Sequence, residues 1–205
     1  MDTLIRLASG APAAALLLAT ILVVGLLGLY RAPALIERNL LRPHGLVRRG
    51  EYATLVTSGF VHADLAHLVF NSFTFWAFGF GLERAIGTPR FVVLYVIGLL
   101  ASSLATWAIH RNQPGYASLG ASGAILAVLF AYIVYYPTQS LIILPIPVPI
   151  PAPLFAVLYV AYSWYSSRQA RGRVNHDAHL GGALYGLVFV LLTDPAAYRT
   201  LARML

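Results

Sequence analysis

The chain has 205 residues, of which 59% are hydrophobic and only 10% charged, with a mean hydropathy of +0.75. A water-soluble domain carries roughly 25% charged residues, so the composition excludes an ordinary soluble fold and leaves a protein that lives in a membrane. The net charge of +7 comes from arginines alone, scattered between apolar runs rather than gathered on one face, which excludes nucleic acid as a partner and points to loop arginines set against membrane lipids.

A membrane helix takes about 20 residues, so residues 1–205 are read as one domain of about six spans. The first apolar run, about 11–30, is longer than the core of a secretion signal and ends in Leu29-Tyr-Arg31 without a small-residue cleavage site. Residues 31–61 follow as a connection in which Leu40, Leu41, Leu46, Val47, Tyr52 and Phe60 interrupt the arginines. That mixture predicts a segment lying partly in the interface. A second helix is predicted over about 63–82 and a third over about 90–110, joined by a turn around Gly87-Thr-Pro89. The fourth covers about 120–136.

Next comes Pro145-Ile-Pro147-Val-Pro149-Ile-Pro151-Ala-Pro153. Alternating prolines remove backbone donors and forbid a continuous helix, so this is a connector despite its lack of charge. A fifth helix is predicted over about 153–167, a polar loop over 168–176 and a sixth helix over about 178–193. The expected fold is an all-α, six-helix membrane bundle. The absence of cysteine removes disulfides, thiolate chemistry and cysteine-ligated metals together.

His67, Ser122 and His179 fall at the beginnings of the second, fourth and sixth predicted helices. In an up-and-down bundle the even-numbered helices enter from the same face, so the three residues lie at similar depth near one surface. Polar groups at membrane depth are costly unless paired and mark function by default. His67 and Asn71 are one helical turn apart and share a face. Considered singly, each residue has a plainer reading: His67 and Asn71 as hydrogen-bonding glue between helices, Ser122 as a small packing residue, His179 as a satisfied bundle histidine.

Their neighbours alter that balance. Ala178, Gly182 and Gly186 form a stripe of small residues beside His179, and Gly120 and Gly123 flank Ser122. Close approach of the fourth and sixth helices would bring an imidazole within reach of a serine hydroxyl. A hydroxyl, an imidazole and an amide donor are the parts of a serine hydrolase, and Ser122 opens a helix whose free N–H groups can stabilise an anion.

The motifs Thr57-Ser-Gly-Phe-Val-His62, His67-Leu-Val-Phe-Asn71, Gly120-Ala-Ser-Gly123 and Ala178-His-Leu-Gly-Gly182 with Gly186 occur in this order. With Gly81-Leu-Glu83 and Phe91 to Tyr95, they make the chain resemble the rhomboid family of intramembrane serine proteases from about residue 50 to 190. The resemblance implies Ser122 as nucleophile and His179 as general base, a dyad. It implies an oxyanion hole from Asn71, His67 and the Ser122 backbone N–H. It also implies access through the loop Arg168 to Asp177 and movement of the helix at about 153–167.

Two positions depart from the family's pattern. Ala53-Thr54 replaces a frequent Trp-Arg pair, which bears on the anchoring of the long loop. Leu126 replaces an aromatic residue that in many members stacks under the catalytic imidazole, so His179 must be oriented another way. Asp177 is expected to be a loop carboxylate facing water or the nearby arginines rather than a third catalytic residue.

The expected activity is that of a serine endopeptidase cutting in or next to the transmembrane segment of membrane-protein substrates, with no metal and no cofactor. The rivals are a proteolytically silent member of the family that binds membrane clients and a small transporter. The expected location is the plasma or inner membrane of a prokaryote. Arg31, Arg38, Arg42, Arg48, Arg49, Arg111, Arg168, Arg171 and Arg173 lie on the side of the site, against Arg6, Arg84, Arg90, Arg199 and Arg203 opposite. That bias alone places the site in the cytoplasm, whereas the resemblance implies that it opens outward, and the outward orientation is adopted.

Overall fold

A computed structural model describes residues 10–143, 146–169 and 174–204. Arg6, Pro145, Arg171 and Arg173 lie outside the described residues. The long helices are α1 (Pro12–Tyr30), α4 (Leu65–Ile86), α5 (Thr88–His110), α6 (Ser122–Tyr135), α7 (Ala152–Gln169) and α8 (His176–Thr193). Short helices α2 (Pro33–Asn39) and α3 (Thr54–Thr57) and a 3-10 turn at Ser58–Phe60 occupy the connection between α1 and α4, and α9 (Tyr198–Ala202) is the last helix among the described residues.

Local chemistry sets the helix ends. The Asp64 side chain accepts from the His67 N–H and starts α4, as a short acceptor at the N-cap does. Gly87, at φ +80, ends it. Only Gly87 separates α4 from α5, whose first turn contains Pro89. The turn is therefore tighter than expected, and α4 runs four residues past the predicted 82. Asn175 accepts from the Ala178 N–H and starts α8 two residues earlier than predicted, placing Asp177 in its first turn rather than in a loop.

The chain is mostly helical as expected, and the proline run adds a short ribbon that the expectation did not include. Strands β1 (Ser140–Ile143) and β2 (Ile146–Pro151) form an antiparallel ribbon with Leu141 opposite Ile150 and Ile142 opposite Pro149. Each strand of a two-stranded ribbon has a free edge, where a missing N–H is harmless. Prolines at alternate positions leave the intervening N–H groups free to bond the partner strand. The proline spacing thus forbids a helix and fits a ribbon.

The core is built around α6. Gly123 through Ala131, with Ile133 and Val134, are all buried, because α4, α5 and α8 pack around this helix. Its contact with α8 is close enough to require glycine: a side-chain carbon on Gly182 would collide with the Gly123 backbone, and one on Gly186 with that of Ala127. The side of α4 and α5 away from the core leaves Val69, Phe70, Trp76, Val93 and Ile97 exposed, an apolar exterior suited to lipid.

By length and composition α1, α4 and α5 are able to cross a membrane, and α8 joins them if it is taken with the bent segment Pro195–Ala202. Among the described residues this gives three to four such spans, and length and composition alone do not reach the six expected. The 14 residues of α6 reach only about 21 Å at 1.5 Å per residue, and the second half of α7 is polar, with Ser163, Ser166, Ser167 and Arg168.

A buried carboxylate fastens the end of the bundle away from Ser122. Glu83, 1% exposed, accepts from the Ala13 and Ala14 N–H groups at 3.1 and 2.6 Å and from the Thr88 hydroxyl at 2.6 Å. It satisfies amides at the start of α1 that no helical carbonyl can reach.

Candidate active site

Ser122 is the first residue of α6, and its Oγ lies 2.8 Å from His179 Nε2, in the second turn of α8. The glycine contact between Gly182 and Gly123 sets this distance, since each glycine neighbours one of the pair. As helix parity predicts, the starts of α4, α6 and α8 converge.

The loop before Ser122 is pinned on two sides. Leu41 and Ser118 exchange backbone hydrogen bonds of 2.9 Å each, and the Gly120 N–H donates to the Ser58 carbonyl at 2.9 Å. Gly120 has φ +111, a backbone that side chains resist. The position has a steric demand too, because a side-chain carbon there would sit 2.6 Å from His67 Cε1 and 3.6 Å from Asn71 Nδ2. The bare face of Gly120 therefore admits His67 and Asn71 beside the nucleophile's loop.

Asn71 is held from behind. Its Nδ2 lies 3.0 Å from His62 Nε2, so one amide hydrogen is engaged and the other has no partner among the described residues. His62 is fully buried, and its ring meets that of His67 edge to face with centroids 5.0 Å apart. Burial, reinforced by the neighbouring His67, pushes the His62 imidazole down to about 4. It is neutral at ordinary pH, and its Nε2 acts as the acceptor for Asn71. His62 stood in a motif quoted from the sequence, yet nothing there gave it this role.

The orientation of His179, left open by Leu126, comes from another helix. Tyr159 on α7 places its phenol oxygen 2.8 Å from His179 Nδ1, with the two rings inclined by 28°. Leu126 is buried in the cluster against which Tyr159 packs. No sequence signal singled out Tyr159, one of several tyrosines in an apolar run. Asp177 does not approach the ring: its Oδ2 lies 2.8 Å from His110 Nε2, so the expectation of a carboxylate facing water or arginine is corrected to a pair with His110.

Asn175 uses its amide nitrogen to bind Thr106 at 2.9 Å and Ser118 at 2.8 Å, joining α5, α8 and the loop before Ser122. These residues border a cavity of about 20 Å³ beside Ser122, lined also by Ser58, Ser102 and Gly123. That is room for about one water molecule. Among the described residues no histidine and carboxylate cluster is arranged to hold a metal ion.

A helical membrane domain with a hydrogen-bonded serine–histidine pair at the starts of two tightly packed helices is the class that fold and site define. Residues 49–195 match the model of the Rhomboid domain, and the chain belongs to the rhomboid family. It is 29% identical over 139 residues to Rhomboid protein 1, mitochondrial, of Saccharomyces cerevisiae, covering 66% of this chain and 40% of that protein. It is 30% identical over 140 residues to Presenilin-associated rhomboid-like protein A, mitochondrial, of Danio rerio, covering 66% and 36%. Over 90 residues it is 34% identical to Rhomboid protease GluP of Bacillus subtilis, covering 44% of this chain and 17% of that one. The chain thus spans well under half the length of these relatives. Their sources, two mitochondrial and one bacterial, give no support to the expected prokaryotic membrane in particular.

Proposed function

We propose that this protein is an intramembrane serine endopeptidase that hydrolyses a peptide bond in or next to the transmembrane segment of other membrane proteins. The observation that carries the reading is the 2.8 Å approach of Ser122 Oγ to His179 Nε2 inside an apolar bundle. In acylation Ser122 Oγ attacks the substrate carbonyl carbon while His179 Nε2 takes its proton. The developing oxyanion is met by the second Asn71 amide hydrogen, the His67 ring and the Ser122 backbone N–H. Collapse breaks the C–N bond, and the amine leaves with the proton from Nε2. Water then attacks the acyl ester by the same route in reverse roles, releasing the acid and restoring Ser122.

The similarity to GluP, a rhomboid protease by name, supports the same activity. In this reading all six long helices cross the membrane, the short α6 enclosed by its neighbours and α7 at the edge of the bundle with many of its side chains exposed, and the site opens outward. Residues 1–205 act as one domain and need no cofactor. The decisive experiment incubates the purified protein with a fluorophosphonate probe and with a panel of single-span helices, mapping every cut. Labelling at Ser122 and cleavage in or beside the spans are expected. Tight binding of the helices with neither labelling nor cleavage would replace this reading by a client-binding member of the family. Because the chain lacks cysteine, a single cysteine placed in the loop 111–119 and probed from outside intact cells tests the orientation.

A further inference from the structure

We propose that Tyr159 is a positioning residue for the base, the third member of the Ser122–His179 unit, whose phenol oxygen selects the working tautomer of His179. The inference rests on the reading of Ser122 and His179 as nucleophile and base.

A neutral imidazole carries one hydrogen. For Nε2 to accept the Ser122 proton, that hydrogen must sit on Nδ1, and the partner facing Nδ1 decides how firmly it stays there. In a triad the partner is a carboxylate. Here Asp177, the carboxylate nearest in sequence, is engaged by His110, and Tyr159 lies 2.8 Å from Nδ1 instead. With Nδ1–H donating to it, the phenol must direct its own hydrogen elsewhere. Ser163, one turn along α7, is fully buried, and its Oγ makes no hydrogen bond to any described residue, which leaves it open to receive that hydrogen. The hydrogen-bonded line itself runs from Tyr159 through His179 to Ser122.

The phenol is itself held in place. The Tyr159 ring packs against Phe155 with centroids 5.5 Å apart and against Phe130 of α6 at 5.9 Å. When Ser122 gives up its proton, Nε2–H and Nδ1–H are both present and the ring is cationic. The phenol oxygen then faces the new charge and stays protonated throughout, so no proton leaves the Ser122–His179 pair. Tyr159 also supplies the aromatic neighbour that position 126 does not.

Tyr159→Phe keeps the ring and removes the oxygen. Turnover should fall about tenfold, the scale of one neutral hydrogen bond, with KM within about twofold of wild type and an unchanged melting midpoint. Nitrogen NMR of ring-labelled histidine, assigned by loss of the signal in His179→Ala, should show the Nδ1–H form in wild type and a mixture of tautomers in Tyr159→Phe. Unchanged turnover with an unchanged tautomer overturns the inference while leaving the protease reading intact. A rise in KM alone makes Tyr159 a substrate contact, and a loss of rate matched by loss of folded protein makes it structural; either result also overturns it. A wild-type protein that neither labels nor cuts refutes the protease reading. The tautomer signature, which needs no turnover, then still decides whether Tyr159 sets the state of His179.

Discussion

Asp177 Oδ2 lies 2.8 Å from His110 Nε2, tying the first turn of α8 to the last residue of α5. The other ring nitrogen of His110 lies 2.9 Å from Gln113 Oε1, and its face is stacked on Tyr116 at 3.6 Å. Asp177 is thus part of a clasp between helix ends. Asp177→Asn should leave turnover within about threefold of wild type and lower stability by about 1 kcal/mol, the scale of one hydrogen bond. Turnover and melting midpoint, measured on the same sample, separate the two. A hundredfold loss of turnover at unchanged stability would instead make Asp177 catalytic.

Ser122→Ala and His179→Ala should each abolish cleavage, and the double change should add almost nothing, because residues that act as one nucleophilic unit are strongly non-additive. Ser122→Ala should fold normally, since it removes one hydroxyl beside glycines. Cleavage by Ser122→Ala at the wild-type rate would refute the assignment.

For Asn71 two roles make opposite demands. As an oxyanion donor its loss should lower turnover by about 10²–10³; as interhelical glue it should lower stability by roughly 0.6–2 kcal/mol. The expected result for Asn71→Ala is the first, with probe labelling affected far less than turnover. A destabilised variant whose folded fraction cuts at the normal rate would leave only the glue.

His62 makes stability depend on pH. Its folded value is about 4 against an ordinary 6.5, so between these limits the unfolded chain binds more protons than the folded one. Stability is therefore full above about pH 6.5 and falls as pH drops toward 4, by up to about 3 kcal/mol across the whole window. Below that value this group adds nothing further. Denaturation in mild detergent across this window, comparing Ser122→Ala with Ser122→Ala/His62→Gln, isolates the contribution: the slope should flatten when His62 is gone.

Gly182→Ala should be costly out of proportion to its one methyl group, because the new carbon meets the Gly123 backbone, which cannot rotate away. Overpacking of this kind costs about 1–3 kcal/mol, and any relief must separate α6 from α8 and stretch the Ser122–His179 contact. Gly115→Ala, where no described residue lies within 4 Å, is the neutral control. Similar melting midpoints for the two variants would mean that the helix contact is less tight than described.

The sequence made legible what rests on period and spacing. Apolar runs announced the long helices to within a few residues, helix parity brought His67, Ser122 and His179 to one end, and the Ala178–Gly182–Gly186 stripe marked the close contact with α6. What it hid was pairing across distant segments. Tyr159 reaches His179 from a different helix, His62 backs Asn71 from a loop, and Asp177 turns to His110; each contact depends on a side-chain direction that no local pattern encodes. The ribbon at β1 and β2 was hidden for another reason. Proline spacing says clearly what cannot form, and much less clearly what does.

Glu83 joins amides at positions 13 and 14 to a side chain that lies 70 and 69 residues later in the chain. A ribosome adds about 5–20 residues per second, so during biogenesis the start of α1 waits on the order of seconds before the groups that satisfy it exist. Free amides are poorly tolerated in lipid. Until α4 is complete, the leading amides of the first helix depend on water or headgroups for their hydrogen bonds. Loss of this carboxylate would show itself first in the yield of newly made protein surviving quality control, with the chemistry at Ser122 unaltered in whatever molecules mature.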